Sequence, residues 1–336
     1  MRPQKRHSTP DDAASLRSHL VAAITQVTLR PITTVLPPSR AGVRVARHIA
    51  AGGLRLFGPP VRGSSVVEVD RPTGQGPCVR GEWVRGPGAR RDDAVILYVH
   101  GSGFALCSSR THRGITTRLS RETGLPVFAC DYRLAPSHRF PSAADDVRAA
   151  YDWLLAEGHE PERIVVAGDS AGGHLAVDLA LELIREGRTA PAALVLLSPV
   201  LDLTMGLASA RERVRRDPMI SAARAAKLLD LYVLDADPEH RRLRFSFSGA
   251  AAFPVTLVQA GGREMLAADA EHLARAVDEA GGYCELEIWP GQMHVFQALP
   301  RLVPEAESAI SRAAAFVDEH LEVTARRASM AAVGEA

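Results

Sequence analysis

The chain has 336 residues, of which 46% are hydrophobic and 24% are charged, a composition typical of a folded protein with a large buried core. Its 40 basic and 39 acidic residues nearly cancel, so no overall field draws the chain to nucleic acid or to an anionic membrane. The four cysteines show no CxxC or metal-ligand spacing, which predicts no metal centre and reduced thiols in a cytoplasmic protein.

The first 60 residues predict a small helical region. Apolar residues recur at helical intervals over 11–57, and Pro31, Pro37 and Pro38 interrupt them, which predicts two or three short helices. The segment contains no apolar core typical of a signal peptide, and no uninterrupted apolar run of about 18 residues predicts a transmembrane helix. We expect residues 1–60 to form a cap over the core, with a position on a membrane surface as the alternative.

From residue 65 onward, short β-type runs begin to dominate the sequence. Those within 65–92 alternate with Gly and Pro and predict edge strands. The later runs are almost continuously apolar, and helical periodicity follows most of them, as is typical of strands buried on both faces of a parallel sheet. The sequence therefore predicts an α/β fold with a mostly parallel central sheet flanked by helices. The predicted buried strands lie at 94–99, 126–130, 163–167, 193–197, 255–259 and 285–289.

The spacing of these runs also predicts how the chain is divided. The long gap between the runs at 193–197 and 255–259 predicts an insertion above the sheet, and the Ala-rich end carries little pattern. We expect a core over 61–202, a cap insertion over 203–245, a return to the core over 246–323 and a flexible tail over 324–336.

One predicted strand leads into the segment GDSAGG at 168–173, which a helical pattern follows. This is GxSxG in the strand–turn–helix context of a nucleophile elbow, in which the serine lies on a sharp, strained turn at a helix N-terminus. The segment lacks the lysine of a P-loop and the spacing of GxGxxG, so a phosphate-binding turn is the weaker interpretation. Ser170 is therefore the predicted nucleophile.

A serine hydroxyl needs a positioned base, and in an elbow of this type an acid and then a histidine follow the serine along the chain. His294 lies directly after the last predicted strand, at the sheet edge where ligands bind in open α/β folds, and is the predicted base. His174 is interpreted as a packed helix residue. His112, His159, His240 and His272 lie in charged or helical contexts and are interpreted as surface or helix residues.

Three carboxylates are candidates for the acid. Glu264 is the first one after the strand at 255–259 and is the preferred candidate, because from there it can orient the imidazole and stabilise its cation. Asp269 lies five residues further on, inside the next predicted helix, and Asp202 follows the strand at 193–197. Both remain alternatives at this stage.

A second glycine-flanked serine complicates this assignment. Ser102 lies in the segment HGSG at 100–103, directly after the strand at 94–99 and two residues beyond His100. No helical pattern follows at once, and no acid and histidine are ordered relative to it as they are for Ser170. We therefore interpret it as a loop residue.

The motifs together resemble those of the hormone-sensitive-lipase-like esterases of the α/β-hydrolase superfamily. The chain departs from that family at three positions: Glu264 replaces the usual Asp, Ser137 replaces the Glu of LAPEH, and Ser102 replaces the middle glycine of the HGGG loop. The resemblance extends over about 200 residues. It rests on HGSG at 100–103, DYRLAPSHRFPSAADDV at 131–147, GDSAGG at 168–173, SPVLDL at 198–203 and the acid-to-histidine segment at 264–294.

The resemblance implies an α/β-hydrolase fold with a helical cap and a cofactor-independent serine carboxylesterase that acts on small, short- to medium-chain acyl esters. It also implies an oxyanion hole formed by the backbone N–H groups of Ser102, Gly103 and Ala171. An amidase or deacetylase with the same triad is an alternative, and a non-catalytic small-molecule binder is a further one. The sequence leaves the oligomeric state open, with a homodimer among the options.

Overall fold

The computed structural model is dominated by one sheet. It describes residues 7–8, 14–37, 39–72, 77–249 and 252–334. Side chains are described for 14–37, 39–72, 77–249 and 252–323. Its strands are β1 (His7–Ser8), β2 (Ser65–Arg71), β3 (Val79–Arg85), β4 (Val95–Val99), β5 (Val127–Cys130), β6 (Ile164–Asp169), β7 (Ala193–Leu197), β8 (Val255–Gly261) and β9 (Cys284–Trp289). Their order in the sheet is β1-β9-β8-β7-β6-β4-β5-β3-β2. Among these strands the β2–β3 and β3–β5 pairs are antiparallel, and all the other pairs are parallel.

Helices connect the parallel strands and cover both faces of the sheet. They are α1 (Leu16–Val35), α2 (Arg40–Phe57), α3 (Arg113–Thr123), α4 (Ser142–Ala156), α5 (Ala171–Arg185), α6 (Gly206–Val214), α7 (Ala222–Val233), α8 (Ala267–Glu279) and α9 (Glu305–Gly334). Short 3₁₀ turns lie at Ser109–His112, Pro161–Arg163 and Phe296–Ala298.

Alternate residues of the central strands pack into two separate cores, because successive side chains of a strand point to opposite faces. In β4, Leu97 and Val99 pack with α4, α5 and α8, whereas Ile96 and Tyr98 pack with α3 and α9. All four side chains are at most 1% exposed, and burying an aliphatic side chain this fully contributes about 1.5–3 kcal/mol. The predicted α/β fold with a mostly parallel sheet is confirmed, and all six predicted strands are present within two residues of their predicted bounds.

The prolines near the N-terminus act differently from one another. Pro31 lies inside α1 and does not end it, contrary to the predicted interruption. It removes the N–H that would bond the Val27 carbonyl, and because Val27 is 73% exposed, water can satisfy that group. α1 ends at Val35, two residues before Pro37, and Pro38 lies outside the described residues. The Ser39 hydroxyl accepts a hydrogen bond from the Gly42 N–H at 3.2 Å and begins α2.

Helices α1, α6 and α7 lie together. The Arg30 guanidinium of α1 pairs with Glu212 of α6 at 2.7 Å, and Arg224 of α7 donates to the Thr33 carbonyl of α1 at 3.1 Å. The division of the chain at residues 60, 203 and 245 remains a prediction. So does the core boundary at residue 323: α9 continues to Gly334, and the side chains of 324–336 lie outside those described.

Candidate active site

The three residues predicted for catalysis lie at one edge of the sheet. Ser170 follows β6, Glu264 follows β8 by three residues, and His294 lies in the loop after β9. These strands are parallel, so their carboxyl ends share an edge, although the three residues are up to 124 positions apart in the chain.

Ser170 lies on a strained turn between β6 and α5. Its backbone has φ 51° and ψ −118°, a conformation rare for residues other than glycine, and it caps the N-terminus of α5. Gly172 makes the turn possible, because a Cβ at that position would lie 1.9 Å from the Val99 carbonyl oxygen. The turn therefore places the serine side chain at the positive end of a 15-residue helix.

A chain of hydrogen bonds joins the three side chains. Ser170 Oγ lies 3.1 Å from His294 Nε2, and His294 Nδ1 lies 2.5 Å from Glu264 Oε2. The Glu264 side chain is fully buried, and 17% of the His294 side chain is exposed. Burial opposes a charged imidazole, but the adjacent Glu264 carboxylate outweighs it and raises the pKa of His294 above its usual 6.5.

The second oxygen of Glu264 is held by groups that the sequence analysis did not identify. Glu264 Oε1 accepts hydrogen bonds from the Gly261 N–H at 2.5 Å and from the Ser198 hydroxyl at 2.7 Å. The Ser198 hydroxyl in turn accepts from the Val295 N–H at 3.0 Å, so one side chain connects the acid to the histidine loop. Its position directly after β7, at the same sheet edge, was the available signal.

The other two candidate acids contact different parts of the molecule. Asp269 Oδ1 accepts from the backbone N–H groups of Leu201 and Asp202 at 2.8 and 2.9 Å, and Asp202 Oδ2 accepts from the Leu207 N–H at the start of α6. Burial raises the pKa of Asp269 to about 7. Of the three candidates, only Glu264 is hydrogen-bonded to His294.

The HGSG loop after β4 lies beside the elbow, and its serine hydroxyl bonds within its own loop. Ser102 and Gly103 have φ values of 80° and 61°, and Ser102 Oγ donates to Cys107 Sγ at 3.0 Å. Within the described residues, the N–H groups of Ser102 and Gly103 have no hydrogen-bond acceptor. Ala171 is the first residue of α5, where the helix itself offers its N–H no partner.

Asp169 connects the two loops from below. Its Oδ1 accepts from the Tyr98 hydroxyl at 2.6 Å and from the Gly101 N–H at 3.0 Å, and its Oδ2 lies 3.4 Å from His112 Nε2. Gly101 has no room for a side chain, because a Cβ would lie 2.2 Å from Asp169 Oδ2. Asp169 is therefore in position to fix the HGSG loop against the elbow.

His112 ends the 3₁₀ turn at Ser109–His112 and is buried, at 3% exposure, so it is a helix residue and does not lie on the surface. Burial opposes ionisation of both partners, but the attraction between them prevails: the pKa of Asp169 is lowered and that of His112 is raised. Two other histidines near the site are buried as well. Burial lowers the pKa values of His100 and His174 to about 4, so both are neutral at pH 7.

Neither a metal cluster nor a membrane-spanning helix is present in the part of the chain that the structure describes. Within it, no group of three or more His, Cys, Asp or Glu side chains is arranged to hold a metal ion. No described helix is both long and apolar enough to cross a membrane.

Comparison with protein families and curated proteins identifies similar sequences. A family described as having the alpha/beta hydrolase fold matches residues 96–298. The carboxylesterase/phospholipase LipF of Mycobacterium tuberculosis is 35% identical over 324 residues, which are 91% of this chain and 83% of that protein. An acetyl-hydrolase of Streptomyces hygroscopicus is 38% identical over 237 residues, 70% of this chain and 78% of the relative.

Solved structures are similar over nearly the whole chain. The esterase EstE5, in a crystal soaked with p-nitrophenyl butyrate, matches with a TM-score of 0.81 and 30% identity over 92% of this chain and 100% of its own. An esterase described as belonging to the bacterial hormone-sensitive lipase family matches with a TM-score of 0.81 and 32% identity, with the same coverage of both chains.

Proposed function

Because the chain belongs to the hormone-sensitive-lipase-like esterases of the α/β-hydrolase superfamily and is a hydrolase that acts on ester bonds, we propose that Ser170 is its nucleophile, His294 its general base and Glu264 its triad acid. The continuous hydrogen-bonded chain from Ser170 Oγ through His294 to Glu264 is the observation that supports this proposal best.

The reaction proceeds through an acyl-enzyme. His294 Nε2 takes the proton of the Ser170 hydroxyl as Oγ forms a bond to the ester carbonyl carbon, and the carbonyl electron pair moves to its oxygen. When the tetrahedral intermediate collapses, the C–O bond to the alcohol breaks and His294 protonates the departing alcohol. Water then repeats the sequence on the acyl-enzyme and releases the carboxylic acid and free Ser170.

The charges that develop on the oxyanion and on the imidazole are stabilised by groups that are fixed before the reaction begins. The N–H groups of Ser102, Gly103 and Ala171 bind the oxyanion, and loss of one such donor typically slows an acyl-transfer enzyme about 100- to 1,000-fold. Glu264 stabilises the imidazolium at His294 Nδ1. Ser198 is a positioning residue, since its hydroxyl holds Glu264 and the histidine loop at once.

We assign short- to medium-chain acyl esters of small molecules as the substrates. Support comes from relatives that are named carboxylesterase and acetyl-hydrolase and from the p-nitrophenyl butyrate used with EstE5. We assign a cytoplasmic location, which is supported by four unpaired thiols. These are Cys78, Cys107, Cys130 and Cys284.

The test is a series of p-nitrophenyl esters from acetate through butyrate and octanoate to palmitate, measured beside Ser170→Ala. We expect kcat/KM to be greatest for the short and medium chains and to be lost in the variant. A fluorophosphonate probe should bond through phosphorus to the Ser170 oxygen with loss of fluoride, and so label the peptide that contains Ser170 and no other peptide. Turnover of an amide in place of its matched ester would reassign the substrate, and binding without turnover across the series would contradict catalysis.

A further inference from the structure

The outward face of α1 carries several large apolar side chains. A helix advances about 100° per residue. Five residues separated in turn by four, four, three and eight positions therefore lie on one side of the helix, within an arc of about 100°. Five apolar side chains follow that spacing. They are Leu16, Leu20, Ile24, Val27 and Val35, exposed by 89%, 60%, 50%, 73% and 81%.

The inward face of the same helix is formed by small and polar residues. Ser18 and Ala22 are only 2% and 1% exposed. The Ser18 hydroxyl donates to Glu305 Oε2 at 2.7 Å, and the Ser15 N–H donates to the other oxygen of Glu305 at 2.8 Å. The pattern of an ordinary surface helix is thus reversed, since the large apolar residues face outward.

The outward half of α2 combines an apolar stripe with arginines. Val45, Ile49 and Leu56 are 48%, 39% and 57% exposed and lie within an arc of about 40°. Three exposed arginines, at positions 40, 44 and 55, occupy an arc of about 60° on one side of this stripe, about 80° away from it. A helix with an apolar stripe bordered by arginines is typical of segments that lie in a membrane interface.

Charge is segregated in these two helices, although the whole chain is nearly neutral. Together α1 and α2 contain six arginines and no aspartate, glutamate or lysine. Arg17, Arg30 and Arg47 donate hydrogen bonds to groups of the folded protein. The remaining three, Arg40, Arg44 and Arg55, form no ion pair with any described residue.

Both helices pack on loops that carry the candidate active site. Arg47 of α2 donates to the carbonyl of Ala105, two residues beyond the HGSG loop, and to that of Ala135 in the loop after β5. Arg30 of α1 donates to the carbonyl of Asp217, and the Asp217 carboxylate accepts from the Met265 N–H next to Glu264. Since their inward faces contact loops at the carboxyl edge of the sheet, their outward faces point away from that edge.

We propose that the outward faces of α1 and α2, called the docking face below, bind the surface of an anionic phospholipid bilayer. Apolar side chains at the level of the headgroups and arginines opposite anionic lipid are complementary to this face in both chemistry and charge. A second copy is a poorer match, because a two-fold contact through the docking face brings arginines against arginines. The proposal concerns binding alone and does not depend on the catalytic assignment.

The experiment is co-sedimentation of the full chain with large vesicles of phosphatidylcholine, with and without phosphatidylglycerol. We expect binding to the anionic vesicles, at least tenfold weaker binding to the neutral ones, and partial release at high salt because screening weakens only the arginine contribution. Equal sedimentation with both, or with neither, would overturn the proposal. Binding is measured without turnover, so this experiment can succeed even where the assignment of Ser170 fails.

Two matched double variants locate the contact. Val27→Ser with Arg44→Gln alters the docking face, and Val67→Ser with Arg90→Gln makes the same changes at exposed positions elsewhere. One arginine near an anionic surface increases the affinity about fivefold, and the valine side chain, once buried in the bilayer, adds an apolar contribution. We therefore expect the docking variant, which lacks both, to bind at least tenfold more weakly. The control should bind as the parent does.

Three outcomes of these controls would contradict the proposal. One is equal loss of binding in both variants. Another is a docking variant with unchanged thermal melting that still binds fully. The third concerns sedimentation velocity without lipid. If the parent were a stable dimer there and the docking variant a monomer, the docking face would be assigned to contact with a second copy.

Discussion

Two loops at the same edge of the sheet each carry a serine between glycines, and only one of the serines faces a histidine. The loops follow β4 and β6, which pair in parallel, and both Ser102 and Ser170 have positive φ. A helix begins directly after Ser170, and its hydroxyl lies 3.1 Å from His294 Nε2. The Ser102 hydroxyl instead donates to Cys107 within its own loop. The hydroxyl that lies beside a histidine is therefore the one whose serine is followed directly by a helix.

The largest expected difference between the two loops is in their response to loss of the hydroxyl. Ser170→Ala removes the proposed nucleophilic oxygen, so we expect kcat/KM for p-nitrophenyl butyrate to fall about 10⁴-fold or more. Circular dichroism should show an unchanged fold. A variant that retains a tenth of the parent activity would move the nucleophile to another residue.

The next test concerns His294, which lies beside Ser170, through replacement of its partner Glu264. Glu264→Gln removes the charge that raises the pKa of His294, and we expect kcat/KM to fall about 10³- to 10⁴-fold. The base must be neutral, so parent activity declines as the pH falls through a His294 pKa above 6.5. In the variant that acid limb should move to lower pH, whereas an unchanged limb would mean that another group sets the His294 pKa.

Asp169 is the direct link between the loops, and Asp169→Asn weakens it. The side chain holds the Gly101 N–H and the Tyr98 hydroxyl through one oxygen, and a displaced HGSG loop would misplace the oxyanion donors. We expect kcat to fall about 10- to 100-fold, less than for complete loss of a donor.

Asp146→Asn is the control for this link, because Asp146 is also a buried carboxylate, 5% exposed, but pairs with Arg133. It should lower the melting temperature without this loss of kcat. Equal effects of the two variants on kcat would show that the Asp169 effect is general destabilisation.

Asp269→Asn also tests the assignment of the acid, and we expect this substitution to change stability more than activity. Asp269→Asn keeps an oxygen for the Leu201 and Asp202 N–H groups, so we expect activity within about threefold of the parent. The Asp269 pKa of about 7 lies above the usual 3.8, so the carboxyl group stays protonated to a higher pH in the folded parent than in the unfolded chain. Its stability therefore falls as the pH rises from about 4 to 7.

The asparagine does not titrate, so the melting-temperature advantage of Asp269→Asn should grow over that pH range and then stay constant. Loss of activity comparable to that of Glu264→Gln would instead restore Asp269 as a candidate for the triad acid.

The sheet and the order of the three catalytic candidates could be predicted because each depends on a local pattern. Strands buried on both faces are almost continuously apolar, and the loop after each one necessarily lies at the same edge of a parallel sheet. Ser170, Glu264 and His294 could therefore be placed together from three separate segments.

The supporting contacts could not be predicted in the same way, because they depend on which strands are neighbours. Asp169 meets Tyr98 and His112 only because β4 pairs with β6, and nothing in the sequence around His112 indicates burial. The helical periodicity of α1 likewise predicts a helix without showing which face is buried. Small residues pack inward there, so the usual expectation that large apolar residues do so is wrong.

The smallest expected effect is that of Ser102→Gly, which restores the loop to three successive glycines. Two contributions oppose each other: glycine relieves a left-handed backbone that costs other residues about 1–2 kcal/mol, while the hydrogen bond to Cys107 Sγ is lost. We expect kcat/KM within about threefold of the parent. Ser102→Ala keeps the strain and loses the hydrogen bond, so its melting temperature should be below that of both the parent and the glycine variant. If Ser102→Gly abolished activity while Ser170→Ala retained it, the roles of the two loops would be reversed, because only a hydroxyl that bonds to the acyl group is indispensable.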